Sequence, residues 1–380
     1  MATLDLQERQ YNGGPQYLPF GRRMPAIPHY LMRCLFIAVL LPLCSMADRV
    51  FAQTDDNQAV VLQYHHVSST MPRSTSVTVE EFRAHMQFLR DNGFTVLPLQ
   101  DIVSALREGQ QLPDKAAAIT FDDSNASVYT AAFPILKEYG WPFTVFVPTG
   151  MVGTNNAVYT TWDQLREMGK AGATLANHSI THDYLLERKP GEDEAAWLAR
   201  MEHEIVGAEQ KLLEETGQSH KIYAYPFGEY DPATEALVKK LGYVAFAQHS
   251  GPINASSNFT ALPRFPFSGS YAPIKTFAPK VMSLAFNVSI SEPASPVTTE
   301  TSPSAILDFN GTYRLDALTC YVNDSTMDVA LIDAGKQQYR IISKTENRGR
   351  RFRYNCTAPG KSGRFYWFSV PWFNPAIPDR

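Results

Sequence analysis

Short apolar runs that alternate with helical segments between residues 59 and 277 constrain the fold of this chain more than any other feature of its sequence. Two of the helical segments open on a capping box, formed by Thr78 with Glu81 and by Thr161 with Gln164. The apolar runs have the composition of buried strands and lie at Ala59–Tyr64, Phe94–Leu97, Ala116–Phe121, Phe143–Val147, Ala173–Ala176, Ile222–Tyr225, Tyr243–Ala247 and Leu262–Phe267. Strands separated by helices at this spacing form parallel βα units, which predicts an α/β fold, either a barrel or a doubly wound sheet.

The composition of the chain changes after Phe277. Residues Ser291–Ser304 are rich in Pro, Ser and Thr, which is typical of a linker or long loop. Short β-like runs follow without a helical stretch, so we predict a small β-sandwich, with Met282–Ile290 as a candidate additional strand. The predicted divisions of the chain are an N-terminal extension with signal peptide (1–52), the α/β domain (53–277), a linker (278–304) and the β domain (305–380).

The N-terminal region has the pattern of an export signal. Arg33 precedes an apolar run, Leu35–Leu43, that is short for a membrane span but typical of a signal-peptide core. Val50–Ala52 is a small-residue cleavage site and Ser45–Ala47 is a second candidate, so we expect the mature protein to begin near Gln53 and to be periplasmic or secreted. An uncleaved membrane anchor is the alternative interpretation.

Cysteine usage and charge agree with an exported protein that does not bind nucleic acid. Cys34 and Cys44 lie in the segment that cleavage removes, which leaves Cys320 and Cys356 as an even pair for which we predict a disulfide. The formal net charge is −4 over 380 residues, and no basic arm is present. This charge gives no reason to expect a nucleic-acid partner, and we predict no membrane span in the mature protein.

Polar side chains with catalytic or metal-binding chemistry follow several of the predicted strands. They are the paired carboxylates Asp122-Asp123, the imidazoles His65-His66 and the His178/His182 pair; the apolar segment Pro226-Phe227 also follows a predicted strand. Each has a plain structural alternative, since aspartates cap helices and histidines commonly lie on surfaces or in loops. In a parallel barrel, however, strand ends gather at one face, and the joint placement favours a site in which one carboxylate binds a cation and another takes a proton.

Three of these segments resemble, in order and spacing, the motifs of polysaccharide deacetylases of the NodB-homology type (carbohydrate esterase family 4). They are Thr120-Phe121-Asp122-Asp123, His178-Ser179-Ile180-Thr181-His182 and Tyr225-Pro226-Phe227-Gly228. The resemblance covers about residues 59–277 and implies a distorted (β/α) barrel for the deacetylase domain. It further implies a divalent metal held by Asp123, His178 and His182, with Asp122 as catalytic base. Zn²⁺ suits these ligands, and Ni²⁺, Co²⁺ and Fe²⁺ are compatible with them.

The sequence departs from the family pattern at three places. Ser124 stands where Gly commonly follows the two aspartates, and Ala224 stands where an arginine usually opens the third motif, so we consider Arg264 as the partner that orients Asp122. The C-terminal Leu-x-His element that usually supplies the general acid is absent. Tyr64-His65-His66-Val67 lies at the front instead, which resembles the exported poly-N-acetylglucosamine deacetylases; in that branch the acid corresponds to His65, with His249 as the alternative here.

The expected function is hydrolysis of N-acetyl groups from an N-acetylglucosamine-containing polysaccharide, a reaction at a carbon–nitrogen bond other than a peptide bond. Tyr225, Pro226 and Phe227 are expected to bind substrate or orient the site. The alternatives are an O-acetyl polysaccharide esterase and a non-catalytic carbohydrate-binding protein. A basic cluster, Arg348, Arg350, Arg351 and Arg353, is most simply a solvated hairpin, with contact to an anionic polymer as the alternative.

Overall fold

The computed structural model of the protein describes residues 57–155 and 157–379. The predicted signal-peptide core and both predicted cleavage sites lie outside these residues. Within the described ranges, no helix has the length and apolar character needed to cross a bilayer.

The helices and strands follow the predicted alternation and then the predicted all-β region. The helices are Val79–Asp91 (α1), Leu99–Glu108 (α2), Phe133–Tyr139 (α3), Trp162–Lys170 (α4), Glu194–Thr216 (α5), Pro232–Lys240 (α6) and Ile274–Val281 (α7). The strands of the first part are Gln58–Tyr64 (β1), His66–Val67 (β2), Ser76–Val77 (β3), Thr95–Val96 (β4), Ala116–Phe121 (β5), Thr144–Val147 (β6), Thr174–Asn177 (β7), Ile222–Ala224 (β8), Val244–Phe246 (β9), Ile253–Asn254 (β10) and Phe265–Pro266 (β11). Those of the second part are Leu284–Ala285 (β12), Val288–Glu292 (β13), Ser304–Phe309 (β14), Thr319–Val322 (β15), Ser325–Thr326 (β16), Asp328–Asp333 (β17), Gln338–Ile342 (β18), Arg351–Pro359 (β19) and Phe365–Phe373 (β20).

The first part of the chain forms a curled sheet whose central order is β1-β5-β6-β7-β8-β9, with every neighbouring pair parallel. The segment that follows β10 closes this sheet. Leu262 makes a parallel bridge to Phe246 of β9, and three residues later β11 pairs with β1. The ring of strands is therefore the predicted distorted (β/α) barrel, closed at its last step by only a few residues around Arg264.

The barrel strands are buried on both faces, which explains their continuous apolar sequences. Successive residues of these strands point to opposite faces. Phe146 of β6 lies 6.0 Å, centroid to centroid, from Phe246 of β9, although two strands separate them in the sheet, so this face lines the barrel interior. The opposite face packs on helices α1, α3 and α4 in one core and, at β8 and β9, on helices α5 and α6 in another. Small interior residues such as Ala118 and Ala224 leave room for polar side chains at the carboxyl end.

The C-terminal part is the predicted small all-β domain. A five-stranded sheet, β12-β20-β19-β15-β16, packs on a four-stranded sheet, β13-β14-β18-β17, around a shared apolar core. Cys320 and Cys356, the predicted pair, face each other on β15 and β19 and form a disulfide. β13 lies inside the segment expected to be a linker, and pairs with β14.

Strand β20 and the basic cluster join the β domain to the barrel. Trp367 packs against Phe265 of β11, with ring centroids 5.5 Å apart. Arg350 is buried, and its Nε and Nη2 donate to the two carboxylate oxygens of the buried Glu229 at 2.6 and 2.8 Å. The expectation of a solvated hairpin is therefore wrong for Arg350, because a carboxylate 121 residues away in sequence pairs with it inside the protein.

Candidate active site

Asp122 lies at the carboxyl end of β5, completely buried, and its carboxylate accepts three hydrogen bonds. Arg264 forms a bidentate pair with it, Nη1 to Oδ1 at 2.6 Å and Nη2 to Oδ2 at 2.9 Å, and Gln63 Nε2 donates to Oδ2 at 2.6 Å. Burial raises the pKa of Asp122, but the charge of Arg264, with smaller effects of His178 and His65, outweighs burial and holds this pKa below its ordinary value. The carboxylate is therefore ionised and fixed in orientation.

Arg264 is fixed in its turn. Its Nε donates to the carbonyl of Ala247 at 3.0 Å, and its backbone N–H donates to the carbonyl of His249 at 2.9 Å. The guanidinium lies over the ring of Phe146 in the barrel interior, 5.0 Å from the centroid. The segment that closes the barrel thus carries the arginine that the third motif lacks at Ala224.

Asp123, His178 and His182 converge beside Asp122. Oδ1 of Asp123 lies 3.4 Å from Nε2 of His178 and 3.1 Å from Nε2 of His182, and the three candidate donor atoms lie within 4.8 Å of one another. Within residues 57–155 and 157–379, Asp123 Oδ1 and His178 Nε2 are buried and have no hydrogen-bond partner. Buried polar atoms rarely remain unpaired, so this donor set fits a metal ion.

A backbone carbonyl sets the direction of the first histidine. Nδ1 of His178 lies 2.8 Å from the carbonyl of Ala224, which requires the proton on Nδ1 and leaves Nε2 with its lone pair toward Asp123. A carbonyl on the ligand's other nitrogen is the usual partner of a metal-binding imidazole. Ala224, which stands where the third motif usually has an arginine, therefore contributes its backbone carbonyl to the orientation of His178. An alanine is sufficient for this contact.

The loop from His178 to His182 is held from below by helix α5. Oε2 of the buried Glu204 accepts from the backbone N–H groups of Ile180 and Thr181, both at 2.9 Å. Ser179 Oγ accepts from the backbone N–H of His182 at 3.0 Å. Glu204 lies in an ordinary amphipathic helical sequence, so nothing local to it signalled this role.

Strained backbone is concentrated at this face. Non-glycine residues with positive φ lie in all three motifs, at Asp123 (68°), Ser124 (54°), Ser179 (66°), His182 (57°) and Phe227 (58°). Such conformations cost free energy and persist where the surrounding structure fixes them, commonly at functional sites. The positive φ of Ser124 explains why glycine, which adopts this conformation without steric cost, is the more favourable residue at that position.

His65 and His249, the two candidates for the general acid, lie in different surroundings. His65 Nε2 is 3.9 Å from Asp122 Oδ2, and the ring is partly exposed, so it faces the same space as the carboxylate. His249 is buried in a separate cavity, and burial, followed by the charges of Arg353 and Arg264, lowers its pKa to about 3. The geometry therefore favours His65.

The third motif forms a tight turn beside the second histidine. The Phe227 ring contacts the His182 ring, with centroids 4.6 Å apart, and stacks on Tyr184 at 3.8 Å. Pro226 and Tyr225 are buried, and Tyr225 OH donates to the carbonyl of Thr260, which leaves them an orienting role. A Cβ on Gly228 (φ 72°) would approach within 2.7 Å of the Gln248 backbone, so only glycine fits there.

The polysaccharide deacetylase family matches residues 109–246, which include Asp122, Asp123, both histidines and Phe227. Over these residues the chain is similar to polysaccharide deacetylases. The Bacillus subtilis protein YxkH is 30% identical over 183 residues, which is 48% of this chain and 61% of that protein. The Escherichia coli K12 poly-beta-1,6-N-acetyl-D-glucosamine N-deacetylase is 25% identical to this chain. The alignment covers 67% of this chain and 45% of the Escherichia coli protein.

A structure and a shorter relative extend the likeness. A solved structure of IcaB from Ammonifex degensii superposes with a TM-score of 0.52 at 25% identity, covering 58% of this chain and 96% of that chain. The Staphylococcus aureus MW2 poly-beta-1,6-N-acetyl-D-glucosamine N-deacetylase is 26% identical, over 62% of this chain and 91% of its own length. The chain spans less than two thirds of the first two relatives, so their activities enter only as proposals.

The deacetylase domain receives one further group of contacts from the β domain. Tyr184 OH donates to Asp379 at 2.7 Å, and Arg351 pairs with the same carboxylate and with Glu229 at 3.0 Å. The Arg351 guanidinium lies over the Phe227 ring, 5.3 Å from its centroid. The C-terminal residues therefore cover the turn that carries Phe227, which no local pattern in the sequence indicates.

Proposed function

We propose that this protein is a metal-dependent hydrolase that removes N-acetyl groups from an N-acetylglucosamine-containing polysaccharide and releases acetate. The observation that carries the proposal is the arrangement of one ionised, triply hydrogen-bonded carboxylate, Asp122, next to three candidate metal donors, two of which are buried and unsatisfied. Structural capping explains neither feature, because Asp122 bonds side chains distant in sequence and the donor atoms of Asp123 and His178 have no hydrogen-bond partner among the described residues.

The substrate class is inferred from the relatives. The Escherichia coli and Staphylococcus aureus proteins are named as poly-beta-1,6-N-acetyl-D-glucosamine N-deacetylases, and the latter aligns over 91% of its own length. The Tyr64-His65 segment on the barrel's first strand supports the same branch. We propose a β-linked N-acetylglucosamine polymer as the substrate.

The metal is proposed to be held by Asp123, His178 and His182, and Zn²⁺ suits two imidazoles and one carboxylate. When bound at such a site, a divalent cation polarises a carbonyl and lowers the pKa of water. Three protein ligands leave coordination positions for these groups. The carbonyl of Ala224 and the carboxylate of Glu204 preserve the ligand geometry without touching the substrate.

Asp122 is proposed to act as general base. Of the roughly four lone-pair positions on its carboxylate, three accept hydrogen bonds from Gln63 and Arg264, so about one remains for a proton of the attacking water. Fixed orientation makes this transfer efficient, because no side-chain rotation competes with it. The positive charge of Arg264 also stabilises the ionised form in a buried place.

His65 is proposed to act as general acid. Its Nε2 lies 3.9 Å from Asp122, so the acid and base face a common space in which the scissile amide fits. Protonated His65 donates to the departing nitrogen, which leaves as an amine. Without this proton the amide nitrogen is a poor leaving group, and for this reason an ester substrate depends less on His65.

The reaction is proposed to take place after export. The apolar run at Leu35–Leu43 and the disulfide between Cys320 and Cys356 both support an oxidising compartment outside the cytoplasm.

The proposal is tested by product analysis. Zinc-loaded protein is incubated with β-1,6-linked N-acetylglucosamine oligomers and, separately, with O-acetylated xylan oligomers, and acetate and primary amine are both quantified. We expect equal amounts of acetate and amine from the first substrate and little acetate from the second. Acetate from xylan alone would instead identify an O-acetyl esterase, and no acetate from either substrate would favour a non-catalytic protein.

A further inference from the structure

A cavity of about 560 Å³ lies between the deacetylase barrel and the β domain. Phe227, His249 and Lys280 from the barrel line it, together with Arg353 from β19. Because the Phe227 ring also contacts His182, this cavity is adjacent to the proposed metal site. Volumes of this size hold a small organic molecule or sugar units rather than a bare ion.

Lys280, on α7, is a buried cation without a carboxylate partner. Its side chain is 6% exposed, and Nζ lies 3.7 Å from the ring centroid of Tyr271. No salt bridge involves Lys280 in residues 57–155 and 157–379. Burial, followed by the charge of Arg353, lowers the pKa of Lys280 to about 7. An isolated buried ammonium is costly unless an anion accompanies it.

Two further groups in the cavity have free hydrogen-bonding capacity. Arg353 donates from Nη1 to the carbonyl of Gln248 at 2.8 Å and, in the described part of the chain, forms no salt bridge. His249 is 8% exposed, and its buried Nδ1 has no hydrogen-bond partner among the residues that the structure describes. The carboxylate of Asp324 also lines the cavity, but that residue is exposed and pairs with neither cation in the residues that the structure describes.

We propose that this cavity binds an oxyanion, a carboxylate or phosphate group, carried by a saccharide, with Lys280 and Arg353 as its charged contacts. Charge-assisted hydrogen bonds from these two side chains neutralise the anion and remove the repulsion between them. His249 Nδ1 hydrogen-bonds a sugar hydroxyl. Tyr271 and Trp367 also line the cavity and provide apolar surface for the sugar ring.

A consequence for the substrate class follows, and this consequence rests on the proposed function. Phe227 separates the cavity from the deacetylation site. A polysaccharide that occupies the cavity and the deacetylation site together therefore has an acidic sugar near the N-acetyl group that is hydrolysed. The polymer acted on then carries carboxylate or phosphate substituents as well as N-acetyl groups. The anion site itself does not depend on the deacetylation chemistry.

Calorimetric binding at low salt, in chelator-treated protein that cannot turn over, tests the proposal. The probes are a tetrasaccharide of alternating N-acetylglucosamine and glucuronic acid, a neutral N-acetylglucosamine tetramer, and inorganic phosphate. The variants are Lys280→Met and Arg353→Gln. Their matched controls are Lys336→Met and Arg348→Gln, whose side chains are 74% and 79% exposed in the β domain.

We expect the wild type and both controls to bind the acidic tetrasaccharide at least about tenfold more tightly than the neutral one. Each cavity variant should lose most of this preference while its circular dichroism spectrum stays native. Equal affinity for the two tetrasaccharides in the wild type, or a preference unchanged in both variants, overturns the site. Phosphate binding without acidic-tetrasaccharide binding overturns the saccharide assignment. None of these outcomes depends on whether acetate is released.

Discussion

Replacing Arg264 with methionine tests the buried ion pair between Arg264 and Asp122, the proposed base. The test measures the free energy of unfolding and does not depend on catalysis. The substitution removes both hydrogen bonds to Asp122 and leaves a fully buried carboxylate with Gln63 as its remaining side-chain donor. Breaking a buried ion pair by removing one partner costs about 3–5 kcal/mol, because an uncompensated charge stays inside the protein. Asp122→Asn leaves the guanidinium unpaired and should cost a similar amount.

The double variant carries neither charge, so it should be more stable than the sum of the single costs predicts. We expect a coupling energy of about 2–3 kcal/mol in the double-mutant cycle, measured by urea unfolding in the presence of a chelator and with the disulfide intact. The exposed pair Arg166 and Asp163 provides the control cycle, for which we expect at most about 0.5 kcal/mol. Additivity within about 0.5 kcal/mol at Asp122 and Arg264 would refute the buried pair.

Three other outcomes follow from the geometry. His178→Ala should no longer bind metal stoichiometrically, whereas His203→Ala, which changes an exposed histidine on α5, should still do so. Elemental analysis after gel filtration measures the bound metal in each variant. Metal retained in both variants would contradict the assignment of His178 as a ligand. Glu229→Gln should lower the free energy of unfolding by about 3 kcal/mol, because Arg350 loses its buried carboxylate partner and keeps Glu187, which is 49% exposed, as its other carboxylate; a change below about 0.5 kcal/mol would show that the buried pair is not formed. Burial lowers the pKa of His85 in the folded protein to about 4, whereas the ordinary pKa of histidine, about 6.5, applies in the unfolded chain. Between these values the His85 imidazole is protonated mainly in the unfolded chain, so the free energy of unfolding falls as the pH drops from about 6.5 to about 4. His85→Phe should reduce this dependence by about 1.4 kcal/mol per pH unit within that range, and an unchanged slope in urea unfolding would contradict the assignment.

Features encoded within a few residues were predictable from the sequence. The capping boxes of α1 and α4 form as predicted, since Thr78 and Glu81, and Thr161 and Gln164, bond each other across one helical turn. The strands that deliver the aspartates and the first histidine were also clear, because continuous apolar runs end abruptly in polar residues. Their meeting at one face follows from parallel topology alone.

Features that depend on long-range pairing were less accessible. The strand predicted at Leu262–Phe267 is only Phe265–Pro266, because Leu262 bridges β9 while β11 pairs with β1, and this change of partner shortens the regular part. Gln63 is 59 residues from Asp122 in sequence and belongs to an ordinary strand, so its role was not predicted. The helical segment that follows Asp123 begins with a π-helical turn, Val128–Ala132, before α3, and no residue pattern indicates this turn.

The basic cluster shows how burial changes the meaning of a charged sequence. Its four arginines lie within a stretch of six residues. Arg348 is nevertheless exposed, Arg350 is buried and pairs with Glu229, Arg351 lies over Phe227, and Arg353 lines the cavity. Solvation was the simplest expectation for such a run. The partners that replace water come from the barrel more than 100 residues earlier in the chain, and their position depends on how the two domains pack.

The role of Asp122 is tested most directly by measuring bound metal and acetate release together in Asp122→Asn. We predict that this variant binds zinc with the same stoichiometry as the wild type, since Asp123, His178 and His182 are unchanged, and that its rate of acetate release from N-acetylglucosamine oligomers falls by about 10²–10⁴-fold. Asp163→Asn, at a side chain 91% exposed, should match the wild type in both measurements. Turnover at the wild-type rate by metal-loaded Asp122→Asn would contradict the assignment of Asp122 as the base.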